Sequence, residues 1–212
     1  VEDVKRGSAL KLYVLFEKLG MLISRNRRVD GLWVGVLGDK KDDYLLQRVE
    51  DALKLIQQYD PTRYRRILRD VDRIWISHLI GARGQFNDTL KTCELDYKFV
   101  SSSPPELVAS IIVHEATHAH PYLRKLGYPE ELRYRIEKIC IKQQLAFAQK
   151  HPNGNEAVKR AEQLLALDQS FWSNEEFRER RPNQELAAAT DAGIPHWLVR
   201  LIWKLRRKPK RK

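Results

Sequence analysis

Residues 113–118, V-H-E-A-T-H, constrain this chain more than any other stretch. His114 and His118 stand four apart, so on an α-helix both imidazoles leave one face and can close on a single metal ion. Glu115 is rotated from His114 by about 100°. That places it to touch a water beside such an ion without being drawn in as a ligand. The pattern needs a well-anchored helix, and the preceding residues offer one. Ser103-Pro104-Pro105-Glu106 reads as a capping box, with an N-cap serine, proline at the first helical position and glutamate at the third. Leu107, Val108, Ile111, Ile112 and Val113 then carry an apolar helix into the two histidines, and Pro121 is its expected limit.

A metal held for catalysis takes three protein ligands and leaves one position open. Gly127-Tyr128-Pro129 is a turn, and 130–150 reads as a long helix with Leu132, Ile136, Ile139, Cys140 and Phe147 on one side. The segment from Pro121 to Pro129 is long enough to reverse the chain, so this helix can run back antiparallel past the first. Glu137 lies in its middle, among apolar residues, where an unpaired carboxylate is costly to bury. Glu130 and Glu131 sit in the first turn, where the helix dipole already accounts for them. Glu137 is therefore either a third ligand or the partner of Arg133 or Arg135. The plain alternative for the motif is two hydrogen-bonded buried histidines beside a surface acid.

The sequence His114-Glu115-Ala116-Thr117-His118, with a strand and a capped helix before it and a helix bearing Glu137 after it, resembles the gluzincin branch of the zincin metallopeptidases. The resemblance covers roughly residues 91–150. Ile136-Glu137-Lys138-Ile139-Cys140-Ile141 lacks the Asn before and the Asp after the third ligand that the best-known gluzincins carry, so no specific family is assigned. The resemblance implies a single zincin-like domain over residues 1–203 that hydrolyses peptide bonds with a metal-activated water. Its cofactor would be Zn2+, held by His114, His118 and Glu137. Glu115 would move the proton of the attacking water. Tyr134, one turn before Glu137, would stabilise the developing oxyanion, with Tyr122 and His196 as further candidates. An extended peptide or protein substrate would lie along an edge strand, and 91–100 is the strand nearest in sequence.

The remaining pattern fits an α+β fold, a small N-terminal sheet with helices followed by a mainly helical C-terminal half. Apolar residues at helical spacing predict amphipathic helices over 8–24, 42–59, 156–167 and 197–207. A short basic helix over 63–69 spreads its arginines as a solvated face. Strands are expected at 32–37, 73–80 and 91–100, the last placing Cys93, Leu95, Tyr97 and Phe99 on one face. Residues 171–181 read as a loop or short turns, and 183–189 as a helix former.

The formal charge of +11 invites a nucleic-acid reading, but seven of those positive charges fall in residues 204–212, leaving +4 elsewhere. Such a tail is a solvated end, suited to an anionic membrane surface or an acidic partner ahead of nucleic acid. Two rivals to the peptidase follow: an inactive zinc-bearing module that binds peptides or proteins, and a basic binder of membrane surfaces or nucleic acid. Cys93 and Cys140 lack C-x-x-C spacing and fit two isolated buried thiols better than one disulfide. The sequence starts at Val1, as expected of a processed or trimmed product, and the compartment stays open.

Overall fold

The most apolar strands occupy the centre of the sheet. β2 (Leu32–Val36) pairs in parallel with β3 (Arg73–Ser77), and β3 in parallel with β5 (Thr92–Asp96), which aligns Val34, Ile74 and Cys93 across the three. β1 (Arg25–Val29) and β4 (Gly84–Asn87) close the two edges antiparallel, giving the order β1-β2-β3-β5-β4. Parallel neighbours require crossovers. The one from β2 to β3 contains α1 (Asp43–Tyr59) and α2 (Pro61–Asp70). After β5 come α3 (Tyr97–Ser102), α4 (Pro105–Leu123), α5 (Glu130–Ala148), α6 (Asn155–Leu165) and α7 (Asn174–Asp191). The computed structural model describes Gly20 and residues 23–123 and 126–191, and within them the architecture is α+β, a small mixed sheet with mostly helical surroundings.

One core joins sheet to helices. Val34, Ile74, Ile76 and Leu95 meet Leu45, Val49, Leu53 and Ile56 of α1 and Val108 and Ile112 of α4. Each such side chain contributes roughly 1.5–3 kcal/mol when fully buried. α4 is thus pinned to the sheet on one side, and its largest helix contact, with α5, lies on another. Arg48 of α1 fixes where α4 begins, donating to the carbonyls of Val100 (2.6 Å) and Ser103. Among the described residues no helix is long and apolar enough to cross a membrane.

Several expectations need correction. The strand expected over 91–100 ends at Asp96, whose side chain accepts from the Phe99 amide at 2.8 Å and starts α3. Tyr97 and Phe99 therefore leave the alternating pattern. β5 is interior, so the edge on this side is β4, in a stretch that reads as turns. The strand expected over 73–80 stops at Ser77. β1 had no counterpart among the expected strands. α4 begins at Pro105, with Ser103 closing α3 instead of capping α4, and it runs through Pro121 to Leu123. A proline that near the C-terminus removes only one late ladder bond. Ile139 is 54% exposed and faces out, unlike Ile136 and Cys140. Residues 171–181 fold into a 3-10 turn (Gln169–Trp172) and the start of α7, which also takes in 183–189. Cys93 and Cys140 are both free and buried. Of the helix expected over 8–24, Gly20 is described as helical, Ile23 lies in a turn and Ser24 in a bend; its other residues lie outside the described residues, as do 197–207, the tail and His196.

Candidate metal centre

α4 and α5 face each other with polar groups at the middle of an otherwise apolar contact. Nε2 of His114 lies 3.3 Å from Nε2 of His118. Glu137 of α5 spans both, with Oε2 3.4 Å from the first nitrogen and Oε1 3.5 Å from the second. The three side chains come from two helices and are 6–13% exposed. Ligand atoms bonded to one tetrahedral ion at about 2.0–2.1 Å stand about 3.3–3.4 Å apart. The His114–His118 separation matches such an edge, whereas Glu137 meets the two imidazoles through different oxygens; among the described residues, the ligand atoms that lie mutually close enough to hold a metal ion are those of His114, His118 and Cys140.

Supporting contacts orient the donors. Nδ1 of His114 is 3.1 Å from Oε1 of Gln144, an acceptor only, which assigns the proton to Nδ1 and turns the lone pair of Nε2 toward His118 and Glu137. Gln144 is held in turn by Ser110, its Nε2 donating to Oγ at 3.3 Å, and Ser110 donates to the Leu107 carbonyl at 2.9 Å. Outer partners of this kind fix tautomer and ring angle in metal sites. Tyr128 completes the set: its hydroxyl donates to Oε1 of Glu137 and its ring stands edge-on to His118, with centroids 5.6 Å apart. Gly127, at φ +63°, makes the turn that brings Tyr128 back over α5.

Electrostatics follow from burial. Burial opposes charge on both histidines. It drives His118 down to about 4, whereas for His114 the Glu137 bond, the charges of Glu115 and Glu137 and the Gln144 bond together outweigh it and hold the imidazole above its usual value. Burial by itself would raise Glu137, but the two imidazoles and the phenol hold it below the ordinary glutamate value. Glu115 is pushed up to about 7, chiefly by burial. It points toward β4, where a Cβ on Gly84 would come within 2.8 Å of its Cγ. Only glycine at that position lets the edge strand lie so close to the acid.

Of the residues singled out in the sequence, His114, His118 and Glu137 are brought together, and Glu115 borders them beside β4. Tyr134 is not brought in. Its half-buried ring carries the Lys138 ammonium at 4.7 Å, and it makes no hydrogen bond among the described residues. The phenol in this place is Tyr128. Tyr122 is 36% exposed at the end of α4. Arg133 does not pair with Glu137: it donates to the Trp172 carbonyl and to Oδ1 of Asn174 and lies over the Tyr128 and Phe177 rings. Arg135 is exposed on α5.

Besides Tyr128, two neighbours were not foreseen from the sequence. Gln144 shares a helical face with Glu137, and that spacing was its only signal. Cys140, one turn after Glu137, places its sulfur within 4.8 Å of ligand nitrogens of His114 and His118. Comparison with family models, with curated proteins and with solved structures gave no match to this chain.

Proposed function

We propose that the chain is a zinc-dependent metallopeptidase of the zincin-like kind, with a gluzincin-type donor set of His114, His118 and Glu137. The observation that supports this reading is the meeting of His114, His118 and Glu137 within 3.3–3.5 Å of one another, with a buried carboxyl beside them at a sheet edge. Zinc bound there would supply Lewis acidity toward a carbonyl and toward water. Glu115, with a pKa near neutrality, suits proton transfer in both directions. It takes a proton from the attacking water and returns it to the leaving amine. Tyr128 steadies the Glu137 carboxylate. β4, an edge strand of the described sheet against Glu115, can pair with the backbone of an extended peptide, which supports a peptide or protein substrate bound by strand addition.

Cys140 favours one second reading. A thiolate added to the two imidazoles and Glu137 would fill the position a substrate needs, giving a closed structural site in a peptide-binding module. Glu115→Gln separates the two. On the peptidase reading this variant keeps one zinc per chain and loses hydrolysis of an unstructured protein substrate by about 10²–10⁴-fold. A zinc-loaded wild type that cleaves nothing, and whose cobalt derivative shows a sulfur-to-cobalt charge-transfer band, would establish the closed site instead.

A further inference from the structure

On the side of the α4–α5 pair away from Glu115, a cavity of about 760 Å³ opens between α2, α4 and α5. Its size is that of small-molecule pockets, roughly 300–1,000 Å³. Val113 and Ala116 of α4 and Ile136 of α5 line it deep down, and Leu126 and Ile139, each 54% exposed, line its mouth. Among the described residues that line it are four arginines and one acid, Asp70. Two of the arginines are committed. Arg69 holds Asp70 through two bonds of 2.6 and 2.7 Å, and Arg63 binds Asp60 and donates to Oε1 of Gln143 at 2.8 Å. Arg66 on α2 and Arg135 on α5 are exposed and make no polar contact among the described residues.

We propose that this groove binds a single-chain anionic amphiphile, its alkyl chain on the apolar surface and its carboxylate or phosphate head at Arg66 and Arg135. Charge complementarity selects an anion, because the only acid among the described lining residues is already neutralised. The apolar depth selects a chain over a bare ion. The Arg63–Gln143 bond bridges the α2 and α5 walls, so an acidic helix lying along the groove would have to break it, whereas a short chain would not. The basic segment at 204–212 is excluded as the occupant by its own sign.

The test uses the full chain and dodecyl phosphate below its micelle concentration. Calorimetry should give saturable one-to-one binding, and amide shifts should centre on Ala116, Thr117 and Ile139. Arg66→Glu with Arg135→Glu should weaken binding at least about tenfold, whereas Arg65→Glu, on the exposed side of the same helix, should not. Dodecyltrimethylammonium should show no saturable binding. Equal binding of the cationic amphiphile, or undiminished binding by the double variant with its fold intact by circular dichroism, would overturn the proposal. Phosphatidic-acid vesicles identify the source of the head group. Sedimentation with them that the double variant loses points to a membrane lipid, and monomer binding without sedimentation points to a free ligand. Sedimentation that survives the double variant, with no monomer binding, would also overturn the proposal.

Discussion

Asp60 and Glu137 are two carboxylates buried to nearly the same degree, 4% and 6% exposed, and their surroundings differ in one respect. Asp60 stands at the start of α2, where its side chain accepts from the Arg63 amide at 3.1 Å, from the Arg63 guanidinium and from the Lys150 ammonium at 2.7 Å. Two permanent cations and a backbone donor balance it within the chain. Glu137 faces two imidazoles and a phenol, none of which carries a fixed charge. Among the described residues, the positive charge that can face it is that of His114 when protonated. Asp60 is a structural corner complete in itself. On the reading proposed above, Glu137 belongs to a donor set that a cation from solution would complete.

The largest effect expected from this contrast is on metal affinity. Glu137→Ala should lower zinc content from about one per chain to a small fraction and weaken affinity by more than about 100-fold, beyond the 10–100-fold range of outer-shell changes. Added zinc should raise the melting temperature of the wild type and leave that of the variant nearly unmoved. Zinc content unchanged in Glu137→Ala would remove the distinction and point to Cys140 as the third ligand. Asp60→Ala comes next, at about 3 kcal/mol in chemical denaturation, because it strands Arg63 in a largely buried position. Its loss should be the same with and without zinc.

The contrast also shows what the sequence could and could not disclose. Helical spacing alone puts His114 and His118 on one face, and the reversal between two prolines puts Glu137 across from them. Those are local rules acting within about forty residues. The supporting partners were hidden: Tyr128, which bonds Glu137, depends on a left-handed glycine, and Gln144, which bonds His114, looks like any helical glutamine until α4 is packed beside it. The sheet was legible where burial imposes apolar runs, in β2 and β3. β1, R-N-R-R-V, is largely exposed and carries no alternation, and β4, G-Q-F-N, is short and has the composition of a turn. Both are edge strands held by pairing with a neighbour, a non-local cause that their own residues do not express. β5 misled in the other direction, since Tyr97 and Phe99 extend its alternation past the point where Asp96 caps a helix.

Outer contacts sharpen the comparison on a smaller scale. Gln144→Leu keeps the volume of the side chain but removes the acceptor that fixes the His114 tautomer. Zinc affinity should fall by about 10–100-fold, and stability without zinc should change far less. A Gln144→Leu protein that binds zinc as the wild type does would show that packing alone orients His114.

The smallest effect is on acid sensitivity, and it reads the fixed cations around Asp60. Asp60 is held below the ordinary aspartate value of 3.8: burial opposes this, but the Lys150 bond and the Arg63 contacts prevail. Its unfolded form therefore binds protons before its folded form does. The stabilisation it gives is complete above that ordinary value and is lost as pH falls through it toward the lower folded value. Asp60→Asn should accordingly be less stable than the wild type near neutrality, and the gap in urea midpoint should narrow as pH falls from about 5 to about 3. Both measurements belong in the zinc-free protein, where proton competition at the histidines does not intrude. A gap that stays constant across that range would mean that Asp60 acts through its hydrogen-bond geometry, and that its two cations matter less than their distances suggest.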